Sequence, residues 1–340
     1  MPVSSSLSVT PPEWLTAIMR VDLMHGPTAL EPLDRLSEQL GGPRLWIKRD
    51  DCTGLATGGN KTRKLEYLIA AALRENADTV ITFGAMQSNH ARQTAAACAK
   101  FGLECHLILS RSVDWPHPEY ETGGNVHLEN LLGARVHRTE PDQSKQTYGG
   151  LRESLAAKGK SVYVIPAGGS NPVGALGYVR CGWEILSQAN ESGFDPGLIV
   201  HATASGGTQA GLMVAIAEAA TECEVLGVNV STSDFPGLSA RIGSLAQDVV
   251  ALGPRRGELI TPLINNDYVG PGYGQPTPKM AAAVRMLAQH EGIILDPVYS
   301  GKAFGGLVGL MEDGQLDAHE DVVFVHTGGV AVHAVYKSAF

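Results

Sequence analysis

The chain has 340 residues, of which 44% are apolar and 18% charged. That length suits one large or two medium domains, and that balance excludes a disordered chain. Acidic residues outnumber basic ones by 35 to 26, for a net charge of −9, which argues against a duplex nucleic-acid binder, since such a protein needs a basic face. A small anionic substrate stays open, because a local site can be positive on an acidic protein. No stretch is long and apolar enough for a membrane span, and residues 1–20 lack the basic-then-apolar pattern of a secretory leader. Five cysteines without a C-x-x-C spacing read as reduced thiols of a cytoplasmic protein.

In chain order, residues 44–50 alternate like a strand. Residues 60–75 carry Leu65, Leu68, Ile69 and Ala72 on one face and predict a helix. The theme then repeats: strand 79–83, helix 89–101, strand 104–109, helix 125–132, strand 134–139, helix 148–158 and strand 161–165. Helix 175–190, strand 198–202, helix 208–220, strand 224–230 and helix 238–252 follow. The chain closes with helix 278–290, helix 301–311 and strand 321–325. Thr277 and Pro278 are suited to be the N-cap and first residue of the first of these last helices. Alternation of this kind predicts an α/β protein with mostly parallel sheets covered by helices on both faces. About nine strands are many for one sheet, so two doubly wound domains are expected, with ligands at the carboxyl ends of strands.

The Gly58-Gly59-Asn60-Lys61-Thr62-Arg63-Lys64 stretch places three cations in the first turn of a helix, where the dipole disfavours them by roughly 0.3–1 kcal/mol each. They either face an anion, or do chemistry, or form a solvated basic patch. A Walker phosphate loop does not fit, because Asn60 precedes Lys61 and no apolar strand leads in. Ser205-Gly206-Gly207-Thr208 joins a strand to a helix. Its free N–H groups and two hydroxyls make either a cradle for a lone phosphate or a plain tight turn; the spacing is not that of a dinucleotide fingerprint. Gln87-Ser88-Asn89-His90 sits at another strand-to-helix junction, with Ser88 or Asn89 as a cap and His90 as a base, a charge partner or a structural residue. No H-E-x-x-H or cysteine cluster is present, so no metal site is expected, and a G-x-S-x-G nucleophile elbow is absent because Gly169-Ser170-Asn171 runs into Pro172.

Taken together, Gly58 to Lys64, Gln87 to His90, Gly207-Thr208, Tyr273-Gly274 and Asp296-Pro297-Val298-Tyr299 resemble pyridoxal-phosphate enzymes of the tryptophan-synthase-β type. Within them the chain is similar to the group holding 1-aminocyclopropane-1-carboxylate (ACC) deaminase, D-cysteine desulfhydrase and L-cysteate sulfo-lyase. The resemblance implies pyridoxal phosphate fold type II. Residues 1–60 and 170–340 would form a large cofactor-binding domain and residues 61–169 a small one, with the active site between them.

The resemblance also implies roles. Lys61 would hold pyridoxal 5'-phosphate as a Schiff base and then act as a base at Cα. Lys64, Ser205, Gly206, Gly207 and Thr208 would bind its phosphate, Asn89 its ring hydroxyl, and Ser300 would face the pyridine nitrogen. Ser88, Asn89, His90, Gln87 and Thr327 would bind the substrate, with Tyr273 and Tyr299 lining the reacting side. Neighbouring cations and exclusion of water would lower the Lys61 pKa. The deaminase pattern has Glu where this chain has Ser300 and Gln where it has His90, which disfavours cyclopropane opening. Local likenesses at residues 50–55, 200–203 and 267–270 favour L-cysteate, giving sulfite, pyruvate and ammonia, over D-cysteine, giving hydrogen sulfide. A homodimer is expected, with no nucleic-acid or membrane partner. The rival classes are a racemase or synthase of the same fold and a non-enzymatic ligand-binding α/β protein.

Overall fold

The structure is a computed structural model and describes residues 10–254 and 261–340. The leader reading over residues 1–20 therefore lies partly outside it. Among the described residues ten strands form two sheets. The first holds β1 (Leu30–Pro32), β2 (Arg44–Lys48), β7 (Leu198–Thr203), β8 (Glu224–Asn229), β9 (Leu263–Asn265) and β10 (Asp321–Val325), in the order β1-β2-β10-β7-β8-β9. Only the β1–β2 pair is antiparallel. The second holds β3 (Thr79–Ala85), β4 (Glu104–Ser110), β5 (Arg135–Thr139) and β6 (Val162–Ile165), all parallel, in the order β5-β4-β3-β6.

The central strands read as they do because both faces are covered. Asp321–Val325 is buried along its whole length and is apolar except for Asp321, as expected of a parallel strand between helix layers. Asp321 is held at the sheet's lower edge by Arg44 and by the Trp46 indole. The helix following β7, α8 (Gly207–Ala219), is apolar on nearly every side and buried over its first ten residues, which marks it as a core helix. It packs on α7 (Pro172–Glu191), which packs in turn on α3 (Lys61–Arg74). That last approach is close enough to require glycine: a Cβ on Gly177 would lie 2.4 Å from the Arg63 carbonyl oxygen.

A buried ionic cluster fixes the start of α3. Arg63 donates to both carboxylate oxygens of Asp50, each at 2.8 Å, and to Glu184 at 2.9 and 3.0 Å. Tyr178 and Thr28 donate to the same Asp50, and Lys48 pairs with Glu184 at 2.6 Å. Burial alone would raise the Asp50 carboxyl, but the Arg63 charge and hydrogen bonds prevail and hold it down at about 2. Arg63 thus points away from any ligand. Of the three cations expected to face an anion or do chemistry, this one is structural.

Every expected strand and helix is present, with shifted ends. The first strand stops at Lys48, freeing Asp50 to turn inward, and the helix expected from 148 starts at Ser144. Thr277 caps its helix through the Met280 N–H, as expected. Four short elements were not foreseen: β1, β9 and the helices α1 (Glu13–Ala17) and α2 (Asp34–Leu40).

Candidate active site

A cavity of about 340 Å³ opens between the two sheets' carboxyl ends. The loops after β3, β7 and β10 all reach it, as the rule for open α/β sheets requires. Of the residues singled out from sequence, Lys61, Ser88, Asn89, His90, Ser205, Gly206, Thr208, Tyr273, Tyr299 and Thr327 line it.

Lys61 is the first residue of α3 and lines this cavity. Burial pushes its amine down to about 8. Of the two causes expected from sequence, exclusion of water is the one at work; the effect of a neighbouring cation falls on Lys64, which is lowered further, by its own burial and then by Lys61. Lys64 Nζ lies under the glycine loop, donating to Gly168 O and Ser170 Oγ at 3.2 Å each. Ser170 Oγ in turn meets Ser205 Oγ at 2.7 Å and accepts from Gly207 N–H at 3.2 Å. The N-cap residue of α8, Gly206, supplies no side-chain cap, so beyond the Gly207 N–H already given to Ser170 the first turn can offer its amides to an anion. A Cβ on Gly207 would lie 2.8 Å from Lys64 Nζ and 2.7 Å from Ser170 Oγ, so the loop must be bare backbone there.

The opposite wall is the N-terminus of α4 (Asn89–Phe101). Ser88 caps it, accepting from Ala91 N–H at 3.2 Å. His90 meets Thr82 Oγ1 through Nε2 at 2.8 Å, and that hydroxyl is itself spent on Ile165 O. Nε2 must therefore be the protonated nitrogen. Nδ1 is buried with no partner. Burial, then the charges of Lys61 and Lys64, lower the ring's pKa well below its ordinary value. His90 is neutral, so it is not a charge partner for an anionic group.

Tyr273 and Tyr299 form the third wall, with their hydroxyls in direct hydrogen-bond contact at 2.5 Å. Both phenols are raised, by burial first and, for Tyr299, by Tyr273 next. The carbonyls flanking Tyr273 are anchored from two sides: Lys302 Nζ donates to Val269 O and Gly272 O at 2.7 and 2.8 Å, and Tyr336 donates to Gly274 O at 2.9 Å. No sequence pattern pointed to Lys302, because its partners lie some thirty positions away.

Two expected residues face elsewhere. The Gln87 amide is spent on Tyr120 O, Gly123 O and Asn125 N–H, so it is structural and not on the cavity wall. Ser300 Oγ donates to Asp296 Oδ2 at 2.6 Å and accepts from Asp296 N–H at 2.9 Å. Asp296 also takes the N–H groups of Val298, Tyr299 and Ser300. The Ser300 hydroxyl thus belongs to the cap of α11 (Ser300–Glu312) and does not line the cavity.

A cofactor with an aldehyde, a polar ring and a phosphate fits what is here. The cavity holds a desolvated amine, an uncapped helix end over a lysine, and two buried polar atoms without partners on its lining residues, Thr203 Oγ1 and His90 Nδ1. Lys61 would take the carbonyl carbon, and Lys64 with Ser205 to Thr208 would face the phosphate. Among the described residues no group of three metal-ligating side chains occurs, and no helix is long and apolar enough to cross a membrane.

Residues 21–328 match the family model described as pyridoxal-phosphate dependent enzyme. The chain is 42% identical over 330 residues to a D-cysteine desulfhydrase of Serratia proteamaculans, covering 95% of this chain and 97% of that one. It is 43% identical over 327 residues to the D-cysteine desulfhydrase of Klebsiella pneumoniae, with the same coverage. Among solved structures, an ACC deaminase homologue superposes with a TM-score of 0.86 at 36% identity, over 96% of this chain and 98% of that one. A threonine deaminase superposes at 0.63 with 19% identity, covering 89% of this chain and 92% of that one, and speaks for the fold alone. The chain belongs to the family of pyridoxal-phosphate dependent enzymes.

Proposed function

We propose that this enzyme is a carbon–sulfur lyase that removes hydrogen sulfide from D-cysteine, leaving pyruvate and ammonia. The relatives named D-cysteine desulfhydrase, matched over nearly their whole length, carry the reading. It replaces L-cysteate as the favoured substrate. A sulfonate is a full anion that needs cations or several donors around Cβ. Among the described residues lining the cavity Lys61 is the only cation, since His90 is neutral and Gln87 is turned away. A thiol of modest polarity asks for less.

Bound pyridoxal phosphate supplies the electron sink that makes the substrate's α-proton acidic. This chain's residues do the rest. The N–H groups at the start of α4 and the Ser88 hydroxyl hold the substrate carboxylate. The Lys61 amine, neutral at an accessible pH because of its burial, takes the proton from Cα. The Cα electron pair then expels sulfur from Cβ. The neutral Tyr273–Tyr299 pair stands on the side where the thiolate leaves and can give it a proton. Aminoacrylate leaves the enzyme, and water converts it to pyruvate and ammonia. The reading keeps residues 61–169 as the small lobe over the cavity. It also keeps a cytoplasmic protein, supported by five free thiols, and a homodimer, which rests on the resemblance.

The test is a parallel assay of D-cysteine, L-cysteine and L-cysteate with the cofactor-loaded enzyme. Equimolar sulfide and pyruvate from D-cysteine, with L-cysteate at least tenfold poorer in kcat/KM, is the expected result. Sulfite from L-cysteate at a higher kcat/KM than sulfide from D-cysteine would overturn it.

A further inference from the structure

Hydrogen-bond direction runs one way through three buried residues behind the cavity. Arg92 on α4 can only donate. Its Nε gives to Asn125 Oδ1 at 2.8 Å, and its other nitrogens hold the carbonyls of Ala56 and Gly58, in the turn that leads to Lys61. Asn125, on α5 (Gly124–Leu131), must then present its NH₂ on the far side. That group gives to Asn89 Oδ1 at 2.8 Å and to Gln87 O at 3.0 Å. With its oxygen turned to Asn125, Asn89 presents its NH₂ on the other side. Amide orientation is ordinarily ambiguous; a donor-only residue at the head of the chain removes the ambiguity. Arg92 and Asn125 are fully buried and Asn89 nearly so. The Asn89 NH₂ also abuts Gly329, where a Cβ would come within 2.8 Å of it.

We infer that Asn125 is a positioning residue for the cofactor: by fixing the Asn89 amide with its NH₂ toward the cavity, it makes Asn89 a donor to the cofactor's ring oxygen. The inference rests on the reading that Asn89 faces that oxygen. A donor there stabilises the oxygen as an anion, and that charge sets the pH at which the bound cofactor's visible absorbance changes. The charged or titratable groups around this region are Lys61, His90, Tyr273 and Tyr299 lining the cavity, Lys64 beneath it, Asp296 beside Gly329, and Arg92 with the buried Glu129 behind it.

The experiment compares wild type with Asn125→Asp, Asn125→Ala, Arg92→Lys and Asn89→Ala. Three quantities are read: the midpoint of the absorbance–pH titration of the loaded protein, the dissociation constant for pyridoxal phosphate, and the melting temperature without cofactor. Asn125→Asp exchanges the donor for an acceptor, so Asn89 turns its oxygen to the cavity. The midpoint is expected to rise by about one pH unit and the cofactor to bind roughly tenfold more weakly, the scale of one charge-assisted hydrogen bond. Asn125→Ala, which adds no charge, shifts both in the same direction by less. Arg92→Lys can still donate and moves the midpoint less than Asn125→Asp does. If both Asn125 variants melt like wild type and keep its midpoint and affinity while Asn89→Ala shifts them, the relay is wrong and the Asn89 reading stands. If Asn89→Ala also changes nothing, that reading falls and takes the inference with it.

Discussion

Two helix N-termini face each other across the cavity, and they are finished differently. At α4 a side chain, Ser88, closes the first turn, and the residues behind it are tied into a buried hydrogen-bond web of Gln87, Asn125 and Arg92. At α8 no side chain closes the turn. Glycine keeps it open, and Lys64 and Ser170 stand beneath it. The α4 end carries fixed donors for a planar carboxylate or ring oxygen. The α8 end, with one amide on Ser170 and a cation beneath it, suits a compact, highly charged group. A sequence search for anion sites finds both; only the presence or absence of the cap tells them apart.

The contrast can be broken from the α8 side first. Gly207→Val puts a Cβ 2.7 Å from Ser170 Oγ, 2.8 Å from Lys64 Nζ and 3.0 Å from the Ser170 Cα, and its methyl groups add to that crowding. Loss of several charge-assisted hydrogen bonds should weaken pyridoxal phosphate binding by about a hundredfold or more. Equilibrium titration of the cofactor-free protein checks this, and KM measured at saturating cofactor should change little.

A pH titration sharpens it next. On the proposed reading Lys61 reacts with the cofactor, and only when unprotonated; burial has lowered its pKa to about 8. Below that value the protonated fraction grows, so the capture rate should fall about tenfold per pH unit, and above it the rate should level off. Stopped-flow absorbance between pH 6 and 9, roughly two units below and one above that midpoint, reads the profile. A rate that still climbs about tenfold per unit up to pH 9, with no levelling, would mean that Lys61 keeps no such depression.

Ser88→Ala should give the smallest effect. It removes the α4 cap at a cost of about 1 kcal/mol in unfolding free energy. As a carboxylate contact it should raise KM by roughly tenfold, the scale of a hydrogen bond to a charged group. Cofactor affinity should stay within about twofold, a few tenths of a kcal/mol. A matching fall in cofactor affinity would show that the two helix ends do not divide the labour as described.

What could be read from sequence followed from locality. Strands such as Leu198–Thr203 and helices such as Lys61–Arg74 carry their burial pattern within one segment, so periodicity finds them. β1 has three residues, ends on a proline and exists only by pairing with β2, so nothing local marks it. Lys61, Ser88 and the Gly206-Gly207 turn were legible because junction chemistry is also local. The directions of Gln87 and Ser300 were not. Gln87 is turned aside by carbonyls 33 and 36 positions away, and Ser300 by Asp296, which a sequence shows as a neighbour but not as a partner. Asn125 and Lys302 matter only through long-range contacts, so no spacing rule reaches them.

The account turns on which of two neighbouring lysines bonds the cofactor. Lys61 lines the cavity with no partner for its amine among the hydrogen bonds described, whereas Lys64 is engaged by Gly168 and Ser170. Borohydride reduction of the loaded protein, followed by peptide mass mapping, makes that bond permanent and locates it. The phosphopyridoxyl mass on Lys61 alone is the expected result. The same mass on Lys64, or on a lysine outside the cavity, would contradict the account.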